Sequence, residues 1–454
     1  DGRPPLKLAI PLGLQHVLAM FVGNLTPLLI ITAACGIEPG GDLQVALLQN
    51  AMLIAGIVTL IQVFTIGPVG GKLPIVMGTS SGFIGVCQSV AGVMGNGVVA
   101  YGAIMAASFI GGLFETVLGS FLKPLRKFFP SVVTGTVVLS IGLSLISVGI
   151  GSFGGGSSSK DYGSLENLFV GLVVLIVIIA LKHGTKGFTS FASILIGIIV
   201  GYIVSIPFGM VDFSSIGEAG VCQLPSLMHF GIKFEPSSCV AIGILFAINS
   251  IQAIGDYSAT TIGAMDRTPK DDELQRGIVG YGISNVVGAF LGGLPTATYS
   301  QNVGIVTTTK VINRWVLGLA AAILGVAGLV PKFSAILTTI PQCVLGGATV
   351  SVFASIAMTG MKLVASAEMD YRNSSIVGLA AALGMGVSQA TAALASFPTW
   401  VTTIFGKSPV VLATIIAVLL NVILPKTRDE QKEEAKKKIE IEQKLEEDHK
   451  EFGA

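Results

Sequence analysis

A carboxylate and an amide are spaced to share one face of an otherwise apolar segment. Both groups can hydrogen-bond a ligand, and the carboxylate can also transfer a proton. Asp256 lies in the stretch SIQAIGDYSATT, and Gln252 precedes it by four residues. On a helix this spacing projects both side chains from one face, so they could address one cavity. An ionisable group at membrane depth is costly, which makes Asp256 a functional candidate. The alternatives are that Asp256 merely begins a cytoplasmic loop and that Gln252 bonds a neighbouring helix.

Other residues that could do chemistry do not combine into an enzyme site. His16, after Gln15, could titrate near neutral pH, although a neutral histidine bonded to a carbonyl explains it equally well. Glu115, in GGLFET, is interpreted as structural. The chain has only four histidines, and its five cysteines lack the spacing of a metal site. With no Ser/His/Asp set and no phosphate-binding glycine loop, the sequence predicts no enzyme activity, no metal site and no cofactor.

The composition is that of a membrane protein. Of the 454 residues, 52% are hydrophobic and 12% are charged, with a mean hydropathy of +0.80. A soluble domain carries about 25% charged residues. The 58 glycines suit helices that pack closely in lipid. The formal net charge of +1 gives no support for nucleic-acid binding.

Long apolar stretches predict an all-α polytopic membrane protein. A helix that crosses the roughly 30 Å hydrocarbon core needs about 20 apolar residues, and about fourteen such stretches are present. They lie near residues 8–33, 44–66, 74–91, 98–121, 131–150, 165–181, 188–207, 239–264, 276–293, 295–309, 314–330, 341–361, 374–395 and 408–424.

Seven spans on each side of a central connection give the two halves opposite orientations, which is the topology of an inverted repeat. The predicted organisation is a first repeat over 1–207, an external connecting loop over 208–238, a second repeat over 239–425 and a charged cytoplasmic tail over 426–454. With the N-terminus inside, the 27 basic residues all face the cytoplasm except Lys160, Lys233, Lys332 and Lys407. Both termini are therefore predicted to be cytoplasmic.

The third and tenth spans differ from the others. Residues 78–85, GTSSGFIG, and 296–304, TATYSQNVG, are rich in Gly, Ser and Thr and occupy corresponding places in the two halves. Lipid cannot satisfy free backbone groups, so broken segments survive at this depth only when they are buried in protein or line a cavity. Two helices packed through small residues are the simpler explanation, but the paired placement favours a substrate site between the segments.

The segment QNVGIVTTTK resembles the signature of the nucleobase–ascorbate transporters. That signature reads Gln, Glu or Pro, then Asn, any residue, Gly, four of any residue, Thr, and Arg, Lys or Gly. The matching positions are Gln301, Asn302, Gly304, Thr309 and Lys310. The resemblance covers nearly the whole chain, because LQHVLAMF, IGDYSAT and IPQCVLGGA are similar to the family's first, eighth and twelfth helices.

This resemblance implies fourteen helices in two inverted repeats, with the fold of the uracil transporters. Spans 1–4 and 8–11 would form a core domain, and spans 5–7 and 12–14 a gate domain. Two short antiparallel strands, in spans 3 and 10, would meet in the core. Members are typically homodimers in the cell membrane that move the core against the gate, and bacterial members use the proton gradient.

The resemblance also implies a purine substrate, xanthine or uric acid. Gln at position 301 is similar to the xanthine and urate carriers, whereas uracil carriers tend to have Glu and ascorbate carriers Pro. An amide both donates to and accepts from an oxopurine edge. Tyr299 and Ser300 match positions that contact the base, and Asn302, Gly304 and Thr309 would shape the broken helix, while Lys310 would order the loop.

Two departures from the family pattern concern the substrate site. Gln252 stands where the family normally has a Glu that holds the base and takes part in proton coupling. Either Asp256 or His16 replaces that Glu, or Gln252 is a substitution that holds the carrier in one state. The third span's aromatic position is Ser81, next to Ser80 and with Phe83 two residues on, so the stacking partner on that side differs.

Other functions remain open from sequence. A carrier of uracil, ascorbate or another nucleobase would share the family features, and an anion exchanger would share the fold. Those exchangers often carry a soluble C-terminal domain, for which the tail after Leu424 is too short. A non-transporting membrane receptor or a pore could use the same spans.

Overall fold

The computed structural model describes most of the chain. The described residues are 2–95, 97–121, 128–156, 159–213, 217, 220, 222–224, 231, 233–398, 401–406 and 409–425. The predicted charged tail, 426–454, lies outside them. So do parts of the predicted connecting loop and the basic residues Lys123, Arg126, Lys127 and Lys407.

The described residues of the first half form helices α1 to α8 and one strand. In chain order they are α1 (Leu6–Ala34), α2 (Asp42–Phe64), β1 (Met77–Thr79), a 3₁₀ turn (Ser81–Phe83), α3 (Ile84–Met94), α4 (Val98–Ser120), α5 (Ser131–Phe153), α6 (Leu165–Gly184), α7 (Phe188–Phe191) and α8 (Ser193–Ser205). Side-chain hydrogen bonds cap some of these elements. At the start of α6, for example, Ser164 accepts a hydrogen bond from the backbone N–H of Asn167.

The second half repeats this order from a long helix onward. Its elements are α9 (Pro236–Met265), α10 (Asp271–Phe290), β2 (Thr296–Thr298), α11 (Ser300–Thr309), α12 (Arg314–Gly328), α13 (Pro331–Thr338), α14 (Gln342–Ala365), α15 (Tyr371–Gln389), a 3₁₀ turn (Thr391–Leu394), a π-helical turn (Thr402–Gly406) and α16 (Pro409–Ile423). Pro236 occupies the first turn of α9, where its missing N–H costs nothing, and Glu235 caps the N–H groups of Ser237 and Ser238.

Each predicted span contains a helix or a strand–helix unit, which confirms the fold class. Boundaries shift by a few residues, since α10 begins at Asp271 rather than 276 and α15 ends at Gln389 rather than 395. The sequence did not predict α13, which follows α12 after a bend of 82°. Pro331 begins this short helix and fixes its direction after the break.

Length and hydropathy alone identify fewer membrane spans than the fold contains. Among the described residues, seven helices are long and apolar enough to cross a membrane, or eight if α12 and α13 count as one bent span. Of the remaining spans, strands interrupt two, and α8 and α16 have fewer than 18 residues. Helices α10 and α15 are long enough but not apolar enough.

The two broken spans meet as the sequence predicts. Strands β1 and β2 pair antiparallel, with Met77 opposite Thr298, Gly78 opposite Ala297 and Thr79 opposite Thr296. All six residues are buried. Each strand precedes the helix of its broken span, and we name this pair of strands the strand crossing.

The helices pack in two groups. Helices α1, α2, α4, α9, α10 and α12 pack mainly with one another and surround the strand crossing, whereas α5, α6, α8, α14, α15 and α16 form the second group. Small residues bring the backbones together in both groups. An added Cβ at Gly112 of α4 would lie 2.9 Å from the backbone nitrogen of Val286, and one at Gly135 of α5 would lie 2.6 Å from that of Val364.

Candidate functional site

Side chains of the first repeat hold β1 in place. Asn24 of α1 accepts a hydrogen bond from the backbone N–H of Thr79 at 2.8 Å. Thr59 of α2 accepts one from the N–H of Met77 at 3.0 Å and donates one to the Met77 carbonyl at 3.2 Å. These bonds satisfy strand groups that lipid cannot satisfy.

The second repeat holds β2 with the same kind of residue. Asn285 of α10 accepts from the N–H of Thr296 at 2.7 Å, and Asn249 of α9 donates to the Thr296 carbonyl at 2.9 Å. The hydroxyl of Tyr281 accepts from the N–H of Thr298 at 2.9 Å. Each strand is therefore fixed by the two helices that precede it in its own repeat.

Glu115 supports this frame from α4. One carboxyl oxygen accepts from Ser250 at 2.8 Å and the other from Asn285 at 2.9 Å. The side chain is fully buried. It therefore connects α4 to α9 and α10, and through Asn285 it connects α4 to β2.

Asp256 lies at the strand crossing. Its two carboxyl oxygens accept hydrogen bonds from Thr298 at 2.5 Å and from Ser300 at 2.8 Å. The side chain is buried, so these hydroxyls replace the water that a carboxylate would otherwise bind. Asp256 thus links α9 to the end of β2 and the start of α11, and it does not begin a loop.

Gln252 and Gln301 are placed differently from the amides that hold the strands. Both are half-buried, and within the described part of the chain neither side chain has a hydrogen-bond partner. Gln301 is the second residue of α11, where the first backbone N–H groups have no partner within the helix. Each amide offers both donors and an acceptor. Both amides are near Asp256 along the chain or through its partner, because Gln252 lies one turn before it on α9 and Gln301 follows Ser300 on α11.

Tyr299 connects the two broken spans. Its hydroxyl donates to the Thr79 carbonyl at 2.7 Å, which joins the start of α11 to the end of β1. Two glycines make room for the ring. An added Cβ at Gly78 would lie 2.7 Å from its Cε2 atom, and one at Gly23 would lie 3.2 Å from its Cε1 atom.

The turn after β1 contains the remaining predicted contact residues. The hydroxyl of Ser80 accepts from the N–H of Gly82 at 3.2 Å and closes the turn, and Ser81 is half-buried beside it. Phe83 is buried in a hydrophobic cluster, where its ring packs on Phe246 with a centroid distance of 4.9 Å. The structure therefore brings Ser80 and Ser81 to the end of β1 and places Phe83 in the packed interior.

His16 lies next to Asn302 of the signature. The Asn302 amide donates to the His16 carbonyl at 2.9 Å and lies 3.2 Å from the Nδ1 atom. With Nδ1 as the acceptor, the neutral ring carries its proton on Nε2. The Asn302 Oδ1 atom is buried and has no partner among the described residues. Asn302 thus joins α11 to α1.

The rest of the signature shapes and ends α11. Gly304 is exposed, and an added Cβ there would meet nothing within 4 Å. The Thr309 hydroxyl donates to the Ile305 carbonyl at 2.8 Å. Lys310 ends the helix with a φ of 57°, donates to the Gly263 carbonyl at 2.6 Å and pairs with Asp266 at 3.3 Å. The lysine therefore ties the end of α11 to the end of α9.

Comparison with known protein families identifies the family of this chain. Residues 7–393 match the sequence model of the Permease family. The chain is a member of this family, the nucleobase–ascorbate transporters. The resemblance of QNVGIVTTTK to the family signature is thereby confirmed, and the pairing of β1 with β2 in the transporter agrees with it.

Relatives of the transporter are permeases of purine bases. The xanthine permease XanQ of Escherichia coli is 34% identical over 438 residues, which cover 94% of this chain and 93% of XanQ. The uric acid permease PucK of Bacillus subtilis is 34% identical over 412 residues, which cover 90% of this chain and 94% of PucK. These matches confirm that the protein is a transporter and not an enzyme. Among the described residues, no group of His, Cys, Asp or Glu side chains is arranged to hold a metal ion.

Solved structures of anion transporters share the fold. The transmembrane domain of a cyanobacterium bicarbonate transporter, BicA, superposes with a TM-score of 0.60 at 16% identity, covering 92% of this chain and 99% of that domain. The murine anion transporter Slc26a9 in its inward-facing state gives a TM-score of 0.58 at 11% identity, covering 91% of this chain and 68% of that protein. At these identities the similarity concerns the fold alone.

Sequence reasoning missed the residues that hold the strands. Asn24, Asn249 and Asn285 each occupy an apolar span, and each bonds a strand backbone group. The sequence could have indicated these residues, because an amide side chain within a membrane span needs hydrogen-bond partners in the protein. The partners themselves lie too far along the chain for spacing to reveal them.

Proposed function

We propose that the transporter carries a purine base, xanthine or uric acid, between the strand crossing and the second helix group. The observation that carries this proposal is a pair of amides, Gln252 and Gln301, that have no hydrogen-bond partner among the described residues. Gln252 lies one helical turn before Asp256, and Gln301 follows the Asp256 partner Ser300. The names of XanQ and PucK support the same substrate class.

In the proposed complex the two amides read the edge of the base. Oxopurines present alternating carbonyl acceptors and ring N–H donors, which a carboxamide matches with one donor and one acceptor. The first N–H groups of α11, at Ser300 and Gln301, supply further donors, and Ser80 and Ser81 border the base from the other broken span. Tyr299 flanks the base with its ring. Asn302, Gly304 and Thr309 keep the broken helix in shape.

Asp256 is the proposed proton-linked group. Gln252 cannot titrate, and His16 contacts the broken span through Asn302. Asp256 instead bonds residues on both sides of Tyr299, so a change in its protonation acts directly on the start of α11. We propose proton symport on this basis, with the proton gradient as the energy source.

The two helix groups are the proposed moving parts. The first group, a core domain of spans 1–4 and 8–11, holds the strand crossing, and the second, a gate domain of spans 5–7 and 12–14, packs beside it. Transport would move core against gate in an elevator motion. We further propose a homodimer in the inner membrane with both termini in the cytoplasm.

An anion exchanger is the second candidate, because the bicarbonate transporter and Slc26a9 share the fold. The site favours a purine base over a small inorganic anion, because Gln252 and Gln301 offer both donors and acceptors to the edge of a ring. The described residues placed at the strand crossing include no lysine or arginine that would attract an anion. Bicarbonate exchange by the purified transporter, without purine uptake, would favour this candidate.

Substitution of Gln301 tests the proposed site. Gln301→Ala removes one of the two free amides, and we expect uptake of labelled xanthine to fall at least tenfold at subsaturating concentration. Gln275→Ala is the matched control, since that exposed amide bonds the Ser120 carbonyl far from the strands. Unchanged affinity and rate in Gln301→Ala would refute the site.

A further inference from the structure

A cavity lined by both polar and apolar side chains adjoins the proposed site. It has a volume of about 410 Å³ and lies between α3 and α5 on one side and α15 and α16 on the other. Small-molecule sites typically measure about 300–1,000 Å³. The cavity therefore has the size of a ligand site and lies in the seam between the two helix groups.

The cavity begins where the strand crossing ends. Gly82, in the turn after Ser80 and Ser81, lines it, and Gly85 and Gln88 follow on α3. A spacing of three residues places Gly85 and Gln88 on one face of α3, and Gly82 precedes them by the same interval in the 3₁₀ turn. Gly82 and Gly85 lack a side chain, so backbone of the turn and of α3 forms this wall and a flat ligand can approach it closely. The cavity and the turn are thus continuous.

Its position relative to the membrane follows from the packing of the helix ends. The backbone N–H of Gly97, just before α4, donates to the carbonyl of Cys35, just after α1. The end of α3 is therefore on the side of the membrane where α1 ends, opposite the N-terminus. With the proposed cytoplasmic N-terminus, the cavity lies on the outer side of the strand crossing.

The lining suits an uncharged heterocycle. Gln88 and Gln389 supply amides that have no hydrogen-bond partner among the described residues, and none of the described lining residues is charged. Ser89 also lines the cavity, and its buried hydroxyl has no partner within the described part of the chain. Leu145 and Met385 add apolar walls. Amides and apolar walls together repeat the chemistry of the strand crossing.

We propose that this cavity is a second purine-binding subsite, in which the base is held on the outer side before it moves to the strand crossing. The proposal rests on the proposed purine transport. Gln88 hydrogen-bonds the edge of the base, and the flat face of the base lies against the glycines of this wall. The base then passes Gly82 to reach Gln301.

Thiol protection tests the subsite in the whole protein. Ser147→Cys places a thiol on the exposed rim of the cavity and keeps both amides. A maleimide labels this thiol, and mass spectrometry follows its rate with and without xanthine. The exposed native Cys222 serves as internal control. The same measurement is made with Gln301→Ala added, after equilibrium dialysis has shown that this variant has lost tight binding.

We expect xanthine to slow labelling of the rim thiol several-fold in both backgrounds and to leave Cys222 unchanged. Protection that disappears with Gln301→Ala would overturn the subsite, because it would come from occupancy of the strand crossing alone. Absence of protection in both backgrounds, with xanthine bound in dialysis to the protein that retains Gln301, would overturn it too. Failure of that protein to bind xanthine in dialysis would instead refute the proposed function.

A second variant keeps the test decisive if Gln301→Ala folds poorly. Gln88→Leu replaces the free amide by an apolar side chain of similar size. We expect the xanthine concentration for half-protection to rise at least tenfold, while the dissociation constant of the tight site changes less than twofold. Protection at an unchanged concentration would contradict the role of Gln88 and the subsite with it.

Discussion

At the strand crossing, hydrogen bonding separates two kinds of polar residue. Asn24, Asn249 and Asn285 use their amides on strand backbone groups. Gln252 and Gln301 have no such partner among the described residues. Because a polar group that is partly shielded from water still gains from a hydrogen bond, these two half-buried amides are the ones available to a ligand.

The Asp256→Asn variant distinguishes substrate binding from coupling to protons. Asn keeps the size of the side chain and can accept from one hydroxyl while it donates to the other, but it cannot exchange a proton. We expect counterflow of labelled xanthine in proteoliposomes to persist and proton-driven accumulation to be lost. Asp42→Asn, at the start of α2 and away from the strands, is the control. Normal accumulation by Asp256→Asn would remove Asp256 from the coupling step.

At the scale of elements, the strand crossing depends on close contact between backbones and one ring. Gly78 of β1 lies against Tyr299, Asn24 and Met20, and an added Cβ would come within 2.6 Å of the Asn24 oxygen. Any side chain at this position displaces the residue that holds β1 or the residue that joins β1 to α11. The glycine is required by packing, since β1 is ordinary strand backbone at this point.

The Gly78→Ala variant tests whether the strand crossing has room for a side chain at position 78. Overpacking of this kind costs about 1–3 kcal/mol, so we expect the melting temperature of the purified protein to fall by several degrees and xanthine binding to weaken. Gly378→Ala is the matched control, because an added Cβ there meets nothing within 4 Å. Equal melting temperatures of the two variants would show that the strand crossing tolerates a side chain at position 78.

The elements were predictable from sequence to different degrees. Apolar length predicted the spans, and the paired Gly/Ser/Thr segments predicted where β1 and β2 interrupt them. The end of α12 was predictable, because Pro331 and Lys332 follow it and the predicted span ends at 330. No sequence signal showed that residues 331–338 form a further helix at 82° to α12. Sequence could also not show that Phe83 packs on Phe246, since this contact joins residues from opposite halves of the chain.

At the scale of the whole molecule, α5 of the second group contacts α9 of the first, where an added Cβ at Gly255 would lie 3.9 Å from the Thr134 Cγ2 atom. Because the Cβ atom of Thr134 is one bond from Cγ2, cysteines at these two positions lie close to the distance at which disulfides form. The contact therefore offers a way to lock core against gate.

We expect the double variant Thr134→Cys/Gly255→Cys to lose xanthine uptake on oxidation and to regain it on reduction, with binding retained in both forms. The matched control is Gly263→Cys/Thr307→Cys, a crosslink between α9 and α11 inside the core, where the added Cβ lies 3.3 Å from the Thr307 Cβ atom. Transport by the oxidised core–gate variant at the rate of the reduced form would contradict the elevator motion.

The central claim is tested most directly by equilibrium binding of xanthine, uric acid, uracil and ascorbate to the purified transporter, with Gln252 unchanged and as Gln252→Glu. The two free amides predict binding of an oxopurine at a dissociation constant on the order of micromolar, with uracil and ascorbate at least tenfold weaker. A difference in affinity between the unchanged protein and the Gln252→Glu variant would place residue 252 in contact with the base. Binding of none of the four by either form, or equal binding of uracil, would contradict the purine assignment, while the family and the fold would stand.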